Sequence, residues 1–308
     1  HQKLRRGFWM QEAQPAERPR RRRLPRLWLV DVIHRVQCER AASCAMVASG
    51  GASCAMVASV VMSLRARTDL AISAGDHFET LASTREEVEV RLRAQRRSDD
   101  HATDLRDGPA FYVSLTAYTE CVTLLLARMG DASPAPGAGS SPQLGPEATP
   151  EQPPVVHALV GFCQLKESVA WQRGFLTGAL ALPPHALSEL PPRAFASLVL
   201  CLGRQSEQKE RLEAATPPRL LELLRPGFTH DSDELAAVQA RLVEDFDLEE
   251  VRERLGVERC WTLYSQHVVK LRSIEIALIK EELRALRATA AAAAAAADAH
   301  ARAHAPSA

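Results

Sequence analysis

Two arginines stand where apolar side chains belong. Leu29, Ile33, Val36, Arg40, Cys44 and Val47 step by four, three, four, four and three, the spacing of a single helical face. Phe162, Val169, Arg173, Leu176 and Leu180 step by seven, four, three and four, and the odd member is again an arginine. A guanidinium cannot shed its proton to escape burial. It needs a carboxylate or a bound anion. Its flat fork of N–H donors matches two oxygens at a time, so two such forks facing one cavity would suit a small planar oxyanion. The alternative is internal pairing, with Glu39 or Glu167 for example, or a stem along the core edge with its head in water.

Other chemistry is missing from the sequence. There is no P-loop, dinucleotide fingerprint, G-x-S-x-G elbow or H-E-x-x-H, and the ten histidines form no pattern with carboxylates. No catalytic residue, no enzyme activity and no cofactor are expected. Cys38, Cys44, Cys54, Cys121, Cys163, Cys201 and Cys260 are scattered without a C-x-x-C pair, which reads as buried, reduced thiols in a cytoplasmic setting. No metal site is expected, because only His300 and His304 have ligand spacing and both fall in a low-complexity tail.

The arginines must be held by helices. Aromatics are 5% of the 308 residues, while Leu, Ala, Val, Arg and Glu are abundant, a composition suited to helices. Leu115, Tyr118, Val122, Leu125 and Met129 form a bundle face. A helix through Phe162 and Leu180 closes at Pro183-Pro184, and another opens after Pro191-Pro192. Asp231 and Glu234 have capping-box spacing ahead of Val238 and Leu242. A long last helix is expected from about Cys260 to Arg287, with Val269, Ile276, Ile279, Leu283 and Leu286 on one heptad-like seam. The fold class is all-α, with a C-terminal extended helix.

Five tracts divide the chain. Residues 1–24 are a basic, Pro-bearing arm expected to be disordered. Residues 25–130 and 155–287 are helical, separated by a Pro/Gly/Ser-rich linker at 131–154. Residues 288–308 are an Ala-rich low-complexity tail. The uncharged span 41–63 contains ASCAMVAS twice, ten residues apart. Its Ala, Ser and Gly content and its central Gly50-Gly51 read as a lengthened helix junction rather than a membrane crossing. Residues 1–26 hold nine basic side chains against Glu12 and Glu17, so any membrane association would run through that arm.

The motifs occur in a familiar order. VIHRVQCERAASCAMVASGG and LRARTDLAI carry Gln37, Glu39, Arg40, Ser43, Gly50, Arg67, Thr68 and Asp69. LASTREEVE at 81–89 and AYTECVTLLL with Tyr118 follow. LVGFCQLKESVAWQRGF then supplies Leu165, Lys166, Glu167 and Arg173, and CWTLYSQHVVKLRSIE supplies Trp261 and Leu271. Together, over about 27–285, they resemble the NIT domain, the helical nitrate- and nitrite-sensing domain of bacterial regulators and some receptors. The resemblance implies two helical bundles sharing long helices, with the anion between them held by one arginine from each half. By position these are Arg40 and Arg173. Glu39, Arg67, Lys166 and Glu167 are secondary candidates, and Arg204 a weaker one. The chain departs from the pattern at Ala41 and Ala170 in place of glycine, and at Gln172 in place of glutamate.

The expected partners are nitrate or nitrite, and a second copy or an output domain reached through the C-terminal helix. No nucleic acid is expected. The expected setting is the cytoplasm or, if the chain beginning at His1 is a fragment, a larger membrane receptor. The rival is a degenerate helical scaffold with no small-molecule ligand, in which Arg40 and Arg173 are paired internally.

Overall fold

A computed structural model describes residues 25–48, 66, 68, 86, 110–131, 153–183, 186–187, 190–229, 232–244 and 247–303. The arm at 1–24, Arg67, the second ASCAMVAS copy and the linker interior at 132–152 lie outside these residues. Among the described residues every regular element is a helix: α1 (Pro25–Ala48), α2 (Ala110–Asp131), α3 (Pro154–Ala181), α4 (Pro192–Ala215), α5 (Pro218–Phe228), α6 (Asp233–Glu244) and α7 (Leu248–Ala303). The protein is all-α.

Proline punctuates the second half. The helices α3, α4 and α5 each begin at the second residue of a Pro-Pro pair, where a missing N–H costs nothing and the fixed φ already suits a helix. Helix α3 ends at Ala181, and Leu182 behind it is extended. The last turn of α3 is capped from a distance. The Nη2 of Arg252 donates to the carbonyls of Ala179 at 3.3 Å and Leu182 at 2.8 Å, which satisfies orphan acceptors with a cation placed at the negative end of the helix dipole.

Helix α3 is the hub. It packs against α1, α2, α4, α5 and α7, and buried residues appear on all its faces. Phe162, Val169, Phe175, Leu176 and Leu180 all sit in the core, each contributing about 1.5–3 kcal/mol of burial. Close approach of α2 depends on Gly178, because a methyl group there would overlap the Phe111 ring. Phe111 in turn meets Phe175 edge-on at 6.2 Å, and Phe175 stacks on Trp171 at 5.2 Å. Helix α7 packs on α3, α5 and α6.

Three expectations change. Helix α5 has no counterpart among the expected helices. It carries Pro226 inside it, and its apolar face still packs through Leu224. Asp231 lies outside the described residues; at the start of α6 the Oγ of Ser232 accepts the N–H of Leu235 at 3.4 Å. Glu234 turns instead to Arg259 on α7, in contacts down to 2.5 Å, and that guanidinium lowers its carboxyl pKa. Helix α7 is longer than Cys260 to Arg287 in both directions. It begins at Leu248, breaks at Gly256 with φ +64°, and continues to Ala303. Only glycine takes that φ without strain. The alanines past Arg287 are helical through intrinsic propensity alone, and they are exposed.

The heptad-like seam of α7 lies on its outer side. Val269, Ile276 and Leu286 are exposed and Ile279 and Leu283 half-buried, whereas Val268, Leu271, Ile274 and Leu278 face the core.

Candidate functional site

Arg40 on α1 and Arg173 on α3 are both wholly buried, and among the described residues they are the two largest side chains to be so. The stripes that carry them face each other. Helix α1 packs on α3, and a Cβ at Gly174 would lie 3.9 Å from the Cγ of Arg40. Gln37 links the two arginines. Its backbone carbonyl accepts from Arg173 Nη2 at 3.4 Å, and its side chain joins the cluster around Arg40.

That cluster centres on Glu167. Arg40 Nη1 donates to its Oε1 at 2.5 Å, and Arg40 Nη2 to its Oε2 at 3.2 Å. Gln37 Nε2 donates to the same Oε2 at 2.8 Å. Three N–H groups therefore converge on one flat O–C–O group, and the arginine contact is the two-pronged kind. Arg40 Nη1 also reaches Thr119 Oγ1 on α2 at 3.3 Å. Arg40 Nε, Gln37 Oε1 and Ser43 Oγ are buried without a hydrogen-bond partner. Glu39, next in sequence, faces another way and accepts from Tyr118 Oη at 2.7 Å. The QCERAAS motif thus lies in the core: Gln37, Glu39, Arg40 and Ser43 all have no exposed surface.

Arg173 points toward α7. Its Nη1 donates to Ser265 Oγ at 3.1 Å, its Nη2 approaches Cys38 Sγ at 3.8 Å, and the guanidinium lies over the Trp261 ring at 5.1 Å. A cation over an indole is favourable, more so away from water.

A second charge network lies beside the first. Lys166 Nζ contacts Glu275 Oε2 at 2.5 Å, and both side chains are fully buried. Arg272 joins Glu275 Oε2 at 3.1 Å and Asp31 Oδ1 at 3.0 Å, tying α7 to α1. Cys163 donates to Glu275 Oε1 at 3.2 Å. His34 lies among these cations. Burial first, and then Lys166, Arg272, Arg173 and Arg35, lower its pKa well below the ordinary 6.5. The described cysteines are buried free thiols. Burial pushes Cys44, Cys201 and Cys260 up to about 12, so they are poor nucleophiles.

Gln172, where the NIT pattern has glutamate, uses both ends of its amide. Its Nε2 donates to Gln205 Oε1 at 2.6 Å, and its Oε1 accepts from Gln239 Nε2 at 2.8 Å and Tyr264 Oη at 3.3 Å. A carboxylate could not donate to Gln205.

Of the sequence candidates, Arg40 and Glu167 pair directly, Arg173 reaches that cluster only through the Gln37 backbone carbonyl, Lys166 lies on the adjoining network and Glu39 pairs with Tyr118. Arg204 is exposed on α4, and Arg67 lies outside the described residues. Gln37, Thr119, Ser265 and Glu275 were not singled out as site residues. Glu275 carries the same signal as the arginines, since Leu271, Glu275, Leu278 and Glu282 step by four, three and four. Lys166 likewise fills the seven-residue gap between Phe162 and Val169.

The family model for nitrate and nitrite sensing, NIT, matches residues 31–281, and the chain belongs to that family. It is a sensing family, not a catalytic one. No curated protein and no solved structure matches the chain. Among the described residues, no group of His, Cys, Asp and Glu could hold a metal ion, and no helix is long and apolar enough to cross a membrane.

Proposed function

We propose that this nitrate- and nitrite-sensing module binds its anion at the α1/α3 interface, clamped by Arg40 and Arg173. The observation that carries the reading is the complete burial of both guanidiniums on facing stripes, joined through Gln37. A planar anion bridging them would offset their repulsion and accept paired N–H donors from each. Residues 25–130 and 155–287 act as the two halves of one sensing unit, with 131–154 as a tether.

The signal leaves along α7. Arg173 is bonded to Ser265 and lies over Trp261, both on α7. A shift of this guanidinium toward an anion therefore changes contacts of the helix that continues to Ala303. The outward apolar residues Val269, Ile276 and Leu286 offer a seam for a second copy or an output domain. Such a switch works only if the anion favours one arrangement of the helices over another.

Thermal unfolding tests the reading. Sodium nitrate or nitrite is titrated against chloride at constant ionic strength, with the wild type, Arg40→Lys and Arg173→Lys. A saturable rise in Tm, specific to the oxyanion and reduced in both variants, is the expected result. Equal Tm in nitrate, nitrite and chloride for the folded wild type would leave the scaffold reading in its place.

A further inference from the structure

We infer that Glu167 is a built-in competitor for the anion, a tethered carboxylate that occupies the Arg40 fork and must be displaced when ligand binds. The inference rests on the anion clamp proposed above and adds its regulation. Three features carry it. The first is chemical mimicry. A carboxylate presents two oxygens about one planar centre, as nitrite does and as nitrate does with one oxygen to spare. The donors that an anion would need, Arg40 Nη1, Arg40 Nη2 and Gln37 Nε2, are the three that Glu167 now holds.

The second feature is position. The Arg40 side chain has no exposure, whereas that of Glu167 retains 12%, so Glu167 lies at the rim of the interface rather than sealed within it. A released Glu167 is rehydrated, which lowers the cost of exchange. The third is a spare donor. Arg40 Nε is a buried N–H donor without a partner, so the arrangement around Glu167 leaves a donor that an anion could engage. An untethered anion is free to take a different orientation toward it.

The consequence is a tuned threshold. A ligand that binds only when the fork is open has an apparent Kd equal to its intrinsic Kd divided by the open fraction. If the closed, Glu167-bound form outweighs the open one by about ten to one, the competitor weakens binding by about tenfold. The protein would then answer only to anion levels well above its intrinsic affinity. Displacement would also give the two discrete states that a switch needs: carboxylate in and anion in.

The test is isothermal titration calorimetry of nitrate and of nitrite into the full chain, comparing wild type with Glu167→Gln and Glu167→Asp. Circular dichroism verifies that each is folded. Gln removes the charge and Asp shortens the reach, so both weaken the lock. The expected result is tighter binding in both variants, about tenfold for Gln and less for Asp. In parallel, saturating nitrite should raise the Tm of Glu167→Gln by more than that of the wild type. Binding seen only in the variants would support the inference more strongly, with the competitor winning outright in the wild type. A wild type that binds, with variants that bind equally or more weakly, would overturn the competitor and leave the clamp standing, with Glu167 a mere support for Arg40. No binding in any of the three would overturn the clamp and the competitor together.

Discussion

Lys166 and Glu167 are neighbours on α3, and each joins a buried ion pair, but the two pairs differ in seal. Lys166 and Glu275 have no exposure on either side, and Arg272 and Cys163 close the network around them. Arg40 has none either, but its partner Glu167 has 12%. A carboxylate sealed on all sides cannot leave without exposing two cations to a low-dielectric core. A carboxylate at a rim can leave if another anion takes its place. One helix turn therefore holds a fixed structural pair and an exchangeable one.

The largest effect should come from breaking the sealed pair. Glu275→Leu leaves Lys166 and Arg272 facing each other and should cost about 3–5 kcal/mol of unfolding free energy, read by urea denaturation. Lys166→Met should cost less, since Glu275 keeps Arg272. Nitrate should rescue neither. A rescue of Glu275→Leu by nitrate as full as that expected for Glu167→Gln would erase the distinction between the pairs.

Next is Gly178→Ala, which leaves both pairs intact and pushes α2 off α3 through Phe111. Overpacking of this kind costs about 1–3 kcal/mol. It should lower stability without changing anion specificity, so loss of specificity here would mean that the fork depends on the position of α2 and Thr119.

The third prediction concerns pH. His34 stays neutral in the folded protein because burial and the cations Lys166, Arg272, Arg173 and Arg35 oppose its charge. Asp31, bonded to Arg35 and Arg272, and Cys38 Sγ, 3.9 Å from Nε2, are its near neighbours on α1, and Glu275 faces the same network from α7. The folded pKa is below that of the unfolded chain, so the unfolded state binds the extra proton below the unfolded value of about 6.5. Stability should therefore fall as pH drops below about 6.5, by up to about 1.4 kcal/mol per pH unit until the folded group titrates. Chemical denaturation between pH 7 and 5 should show this slope, and His34→Gln should remove it.

The smallest effect should be truncation after Arg287. The exposed alanine helix packs on nothing described, so the unfolding free energy should change by less than about 0.5 kcal/mol. A large loss would mean that this stretch is covered in the native assembly.

The sequence made the helices and the two arginines legible because each is a departure within a simple period. Arg40 and Arg173 stood out against apolar residues, Pro183-Pro184 marked a helix end and Pro191-Pro192 a helix start. The NIT motif order drew attention to Gln37, Glu39 and Arg40, which all lie in one motif and are all buried. Contacts between helices were not legible. No period says that Glu167 turns to Arg40 while Lys166, one residue earlier, turns to Glu275 on α7, because that choice follows from which helices pack on which side of α3. Helix α5 was hidden because it carries Pro226 inside it, where a proline ordinarily interrupts a helix. The outward position of the α7 seam was equally hidden, since Val268 and Val269 are adjacent and both apolar, and only packing decides which faces in.

The most direct measurement is a crystal structure of the full chain grown in nitrite, compared with one grown in chloride. The account predicts planar density within about 3 Å of the guanidinium nitrogens of both Arg40 and Arg173, with Glu167 turned away from the fork. Density elsewhere, or identical arginine and Glu167 positions in both crystals, would contradict it.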